Sequence, residues 1–153
     1  MKNAIAMAAV GLSLSATVVA EEAQVDGFIS VESAHSVKDT ADKLETVLNS
    51  KGMIVFNRIN HQQGAEKAGL QLRKTEVILF GNPKVGTPLM QCAQSVAIDL
   101  PQKALIWKDE AGKVWLSYND PAYLAARHNI EGCEATLNKV SGALAKFAMA
   151  ASK

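Results

Sequence analysis

No basic run interrupts this chain, and its charges nearly cancel: 16 lysines and arginines stand against 15 aspartates and glutamates in 153 residues. Without a positive stripe there is no electrostatic case for nucleic acid or for an anionic membrane surface. Cysteine is scarce, with two residues, and neither a Cys-x-x-Cys redox pair nor a Cys-x-x-Cys-His haem-attachment site occurs. Histidine appears three times, and no two stand at the compact spacing of a His-x-x-x-His metal site. The Gly-Lys-Ser/Thr ending of a phosphate-binding loop is missing, as is the Gly-x-Ser-x-Gly elbow of a hydrolase. Asp99, Asp120 and Glu131 are isolated carboxylates with no visible acid/base pair. Repeats, linkers and low-complexity segments are absent too. An enzyme is therefore the weakest of the readings that follow.

What is present begins with one apolar, small-residue stretch. Met1-Lys2-Asn3 gives a positive start, Ala4 to Ala20 follows, and Glu21-Glu22 comes next. Val18-Val19-Ala20 suits a signal-peptidase cut, so residues 1–20 read as a secretory signal peptide and 21–153 as one mature domain, periplasmic or secreted. Ala, Ser, Gly and Thr dilute the stretch too far for a membrane anchor, and no Cys opens the mature chain for lipidation. Cleavage removes Lys2 alone among the charges and leaves the mature domain formally neutral. No membrane association is expected after the cut.

In an oxidising compartment Cys92 and Cys133 can form one disulfide, closing a loop that contributes roughly 3–4 kcal/mol. Two buried thiols or an intermolecular bridge are the alternatives.

Periodicity supplies the fold class. Strands are expected at 28–33, 53–59, 74–80, 103–108 and 113–118, the last two joined by the hairpin loop Asp109-Glu110-Ala111-Gly112. Apolar residues fall at both parities of 74–80, so both faces of that strand read as covered. A helix starts at Ser36 with a capping-box-like Ser36-Val37-Lys38-Asp39, carries Val37, Ala41, Leu44 and Leu48 on one side, and stops at Gly52. Asn60 caps a short helix ended by Gly69, and Asp120-Pro121 opens another through Arg127. The last helix has the stripe Cys133, Leu137, Val140, Leu144 and Phe147. Helices and antiparallel strands in this order imply an α+β domain.

Four segments resemble a known family: Phe80-Gly81-Asn82-Pro83 with Gly86-Thr87-Pro88-Leu89-Met90-Gln91; Asp99-Leu100-Pro101; Trp107 with Lys113-Val114-Trp115; and Ser117-Tyr118-Asn119-Asp120-Pro121 with Tyr123-Leu124 and Arg127-His128. Together they resemble domain of unknown function family 302. The resemblance implies a TATA-binding-protein-like α+β domain, a curved antiparallel sheet with two main helices on one face, and a homodimer. It brings no activity.

The double Gly/Pro break at 81–88 reads as strand end, turn and helix start, with Thr87 as N-cap and Pro88 at the first helical position. Plain turn chemistry accounts for it; a ligand-contacting loop is the alternative, its free backbone N–H groups near Thr87 and Leu89 open to an anion. Trp107, Trp115, Tyr118 and Tyr123 read as cross-strand packing, or as the aromatic wall of a pocket closed by 82–91. The leading expectation is a binding or accessory protein whose partner is a small molecule or another protein, with His61, Asn82, Thr87, Met90, Tyr118 and His128 facing the ligand. On this reading the protein has no covalent cofactor of its own. The runner-up is a metal- or haem-handling redox protein using His61, Met90, Cys92 and His128 as soft ligands. His35 reads as a solvated loop residue, and a helix C-terminus alone accounts for His128.

Overall fold

The sheet is written by period-two alternation. In the computed structural model, which describes residues 27–153, β3 (Thr75–Gly81) turns Glu76, Ile78 and Phe80 inward. In β4 (Gln102–Lys108) Gln102, Ala104 and Ile106 do the same. With β1 (Phe28–Ser33), β2 (Ile54–Asn60) and β5 (Val114–Asn119) they form a five-stranded sheet in the order β1-β5-β4-β3-β2, every pair antiparallel. The expected signal segment, residues 1–20, and residues 21–26 after it lie outside the described residues.

Two helices cover one face of the sheet. α1 (Val37–Ser50) buries Val37, Thr40, Ala41, Leu44 and Leu48, and α5 (Glu134–Ser152) buries Val140, Leu144, Ala148 and Ala151 beside it. Ser36 caps α1 by accepting from the Asp39 N–H at 3.1 Å; its hydroxyl also donates to the Asp39 carboxylate at 2.7 Å. Gly52, at φ +69°, ends α1 as the sequence predicts: the Met53 N–H returns to the Leu48 carbonyl at 3.0 Å. Arg58 fastens β2 to α1 and β3 through Asp42 and Glu76, both at 2.6 Å. The stripe of α5 runs on past Phe147 through small residues to Ser152, whose carbonyl accepts from the Ala34 N–H at 2.9 Å. His35, expected in solvent, reaches the Lys153 carbonyl at 2.9 Å.

α2 (His61–Lys67) is capped by Asn60 and α4 (Pro121–His128) by Asp120, both as expected. α3 (Pro83–Cys92) is where the expected boundary fails. Its N-cap is Asn82, which accepts from the Lys84 N–H at 2.9 Å, and Pro83 sits at the first helical position. Thr87-Pro88 lies inside the helix instead of opening it. An Asn followed by Pro satisfies the start of a helix one turn earlier, and packing of Leu89 then overrides the local bias of the residue before Pro88. A 3-10 turn at Gln94–Ile98, not anticipated, links α3 to β4.

The face away from α1 and α5 is half-exposed. Val77, Leu79 and Leu105 point there, so the second covering expected for β3 is only partial. Trp107 and Trp115 pair directly across β4 and β5 on this face. The Trp107 indole donates to the buried Ser117 hydroxyl at 3.0 Å, and that of Trp115 to the Asp109 carboxylate at 2.7 Å.

Candidate functional site

At the end of the sheet where β3 runs into α3, a cavity of about 770 Å³ lies between α3, α5 and the sheet. That size falls in the ~300–1,000 Å³ range of small-molecule sites. Its floor is a cross-strand pair, Phe80 on β3 and Gln102 on β4. Val85, Leu89 and Met90 of α3 form one wall, and Val140, Leu144 and Phe147 of α5 another. Ala97, Leu100 and Pro101 close the third side. Lys51, Met53, Phe56, Asn82, Thr87 and Lys139 complete the lining.

Local sequence positions each part. A bulge in β2 falls between Val55 and Asn57, so Phe56 leaves the ladder and contributes its ring to the cavity. The ring lies close over Gly81, where an added Cβ would stand 3.3 Å from the Phe56 side chain. At Gly86 a Cβ would stand 3.6 Å from Leu100, an ordinary van der Waals contact, so α3 lies within one side chain's reach of the Leu100 wall. A disulfide between Cys92 and Cys133, with a Cα–Cα distance of 6.4 Å, joins the end of α3 to the N-cap of α5. It therefore ties two cavity walls together.

The residues singled out in sequence are split by the structure. Asn82, Thr87 and Met90 line the cavity. His61, at the first position of α2, is exposed and does not line the cavity. Tyr118 is 4% exposed on the helix-facing side of β5; burial, with the nearby Asp120 carboxylate, raises its pKa. The aromatic wall expected from Trp107, Trp115, Tyr118 and Tyr123 is supplied instead by Phe56, Phe80 and Phe147. The tryptophans are odd-numbered in register with Leu105 and so face away from the helices.

The metal set of His61, Met90, Cys92 and His128 is not brought together. Cys92 is bonded to Cys133, and among the described residues no group of three or more His, Cys, Asp or Glu side chains could hold a metal ion. His128 belongs to a different cluster. Its Nε2 donates to the Asp99 carboxylate at 2.6 Å, its Nδ1 meets the Ser95 hydroxyl at 3.0 Å, and Arg127 donates to the other Asp99 oxygen at 3.2 Å. A Ser–His–carboxylate relay is the arrangement of a nucleophilic site. Here neither Ser95 nor His128 lines the cavity. The relay binds the 95–99 segment to the end of α4 and so holds Ala97 and Leu100 in place.

Sequence reasoning missed Gln102, Lys51 and Lys139. A signal existed for the first: Gln102 is the polar member of the inward-facing set Gln102, Ala104, Ile106. The lysines carried none, since each belongs to an ordinary helix end or surface.

Fold and cavity together define a small α+β protein with an apolar chamber at the sheet's end. The chain belongs to the family described as "Domain of unknown function DUF302", whose model matches residues 29–147. Two of the segments that carry the resemblance, 80–91 and 99–101, supply much of the cavity lining. The chain is 51% identical over 104 residues to a Brucella suis protein named "Fluoride-specific ion channel FluC 1", covering 68% of this chain and 41% of that protein. The same identity and length hold for the Brucella abortus protein of that name, of which 38% is covered. The chain thus spans about two fifths of the curated relatives it matches. Among the described residues no helix is long and apolar enough to cross a membrane. A crystal structure of uncharacterized conserved protein DUF302 from Bacillus stearothermophilus matches with a TM-score of 0.75 at 16% identity, covering 84% of this chain and 100% of that one. At that identity the likeness is one of fold.

Proposed function

We propose that this is a periplasmic or secreted binding protein that holds a small, largely apolar molecule in the chamber between α3, α5 and the β3–β4 floor. The observation that carries the reading is the chamber itself: about 770 Å³, walled by aliphatic and phenyl side chains, and built in part from the family-bearing segments. Apolar burial at about 25 cal/mol per Å² drives such binding. The N-terminal signal pattern and the Cys92–Cys133 bond both support an oxidising compartment. Native mass spectrometry of the protein isolated from the periplasm, followed by its denatured mass, tests for a resident molecule. Titration with the neutral dye Nile red tests the chamber. One dye should bind per chain, and Ala143→Phe, which fills the chamber from α5, should abolish binding; Thr87→Trp at the rim is a second block. Dye binding that ignores both variants would place the ligand elsewhere.

The homodimer belongs to the same reading. Of the large apolar side chains that are exposed, Ile54, Phe56, Ile59, Leu70 and Leu72 concentrate on β2 and the stretch after α2. β2 is also a sheet edge. Light scattering should give twice the chain mass, and Ile59→Asp should reduce it to one.

A second reading comes from the Brucella relatives. The match at 51% identity to part of proteins named as fluoride channels favours an accessory module that works beside a membrane transport protein. The apolar chamber is not suited to fluoride, so on this reading the module acts by contact with its partner. Deleting the gene should lower fluoride tolerance; unchanged growth across a fluoride series removes this reading.

A further inference from the structure

We propose that the chamber takes a free single-chain amphiphile with a carboxylate headgroup, an acyl chain that also carries an oxygen along its length. The proposal rests on the chamber reading above and names its ligand class. Among the lining residues the only ionisable side chains are Lys51 and Lys139, both positive. Among the described residues neither ammonium has a carboxylate within 4.0 Å. Lys51 lies at the C-cap of α1, and Lys139 stands one turn before Ala143 on α5. An otherwise apolar chamber that carries two unpaired cations and no carboxylate selects an anion on a hydrocarbon tail, because the tail gains from burial and the headgroup from the lysines.

The second observation is Gln102. Its side chain is 8% exposed, it faces the chamber from the inward side of β4, and its carboxamide has no hydrogen-bond partner among the described residues. Among the described residues Ser152 Oγ alone is a fully enclosed side-chain polar atom without a partner, so the Gln102 amide is accessible, and the residue lines the chamber. A hydroxyl or carbonyl on the bound chain can accept from its N–H₂ or donate to its oxygen. The lysines thus select the headgroup and Gln102 an oxygen on the tail. Phe80, Leu89, Leu144 and Phe147 surround the rest.

Calorimetric titration of the mature disulfide-bonded protein with dodecanoate, dodecanol and dodecylammonium, each below its micelle concentration, tests the headgroup. Dodecanoate should bind about tenfold tighter than dodecanol, and dodecylammonium weakest, because each lysine contributes on the order of an exposed ion pair. Lys51→Ala with Lys139→Ala, both surface changes that leave the core intact, should bring the three together. A mid-chain hydroxydodecanoate should exceed dodecanoate in the native protein, and Gln102→Leu should reverse that order. If all three headgroups bind alike and the double alanine variant changes nothing, the carboxylate assignment is overturned while the chamber stands. If none binds and Nile red does not bind either, the chamber reading falls with it.

Discussion

Removing the Cys92–Cys133 bond should cost this domain about 4 kcal/mol, since the bond closes a loop of 41 positions and the loop-entropy relation gives that value for this length. The choice of replacement matters. Cys133 is the N-cap of α5 and makes no side-chain capping bond there. A serine at this position would introduce a cap worth ~1 kcal/mol and mask part of the loss. The clean comparison is therefore Cys92→Ala with Cys133→Ala against the oxidised protein, by urea unfolding followed by far-ultraviolet circular dichroism. Cys92 is exposed, so its truncation leaves no cavity, whereas Cys133 is buried in the core and its truncation adds a packing loss that the reduced wild-type protein, measured alongside, separates from the loss of the bond. The thermal midpoint should fall by on the order of 15 °C for a domain of this size. Because the bond joins two chamber walls, Nile red affinity should fall with it at temperatures where the variant is still folded. A stability loss below about 1 kcal/mol would refute the reasoning, since the unfolded chain would then gain little freedom from the cut.

Three further changes probe single interactions. Asn82→Ala removes the cap of α3 and should cost ~1 kcal/mol in urea unfolding, while Asn82→Asp, which keeps the acceptor, should cost a fraction of that. Ser152→Ala deletes a buried hydroxyl with no partner and should leave stability unchanged or raise it by up to ~1 kcal/mol; a marked loss would show that the oxygen is satisfied after all. Asp109 is held below the usual carboxylate range, chiefly by the Trp115 indole N–H and then, against the opposing effect of burial, by the backbone N–H groups of the hairpin loop. A carboxyl whose folded pKa is lowered stabilises the fold above its unfolded value of about 3.9, and that contribution disappears as pH falls through the folded value. The acid limb of a stability-against-pH curve should thus be flatter in Asp109→Asn, and Trp115 fluorescence should change over the same interval in the native protein.

Most of the architecture was legible because its signals are local. Alternation in β4, the Asp120-Pro121 start of α4 and the Gly52 stop of α1 each depend on residues adjacent in sequence. The start of α3 was misplaced for the same reason: two Gly/Pro breaks offer two local solutions, and the choice between them was made by Leu89, buried against residues distant in sequence. The face of Trp107 and Trp115 depended on register, which the sequence leaves open until the strands pair.

The chamber was harder to see because no stretch of chain contains it. Its parts come from residues 51–56, 80–90, 97–102 and 139–147, four regions that meet only when α5 crosses back beside the β3–α3 junction. Sequence points to 82–91 through its punctuation, and three of the residues chosen there, Asn82, Thr87 and Met90, do line the space. The histidines drew attention for their chemistry alone, and the fold uses one of them elsewhere. His128 and Asp99 are 29 positions apart, and their contact fastens a wall instead of facing a ligand. The glycines and prolines of 81–88 then have a single physical account. Pro83 starts α3 immediately beyond the strand, Gly81 leaves room for the Phe56 ring, and Gly86 faces Leu100 across the rim. A side chain at Gly81 would press on the Phe56 ring, so at that position the composition of the segment follows from the apolar chamber between a strand end and a helix start.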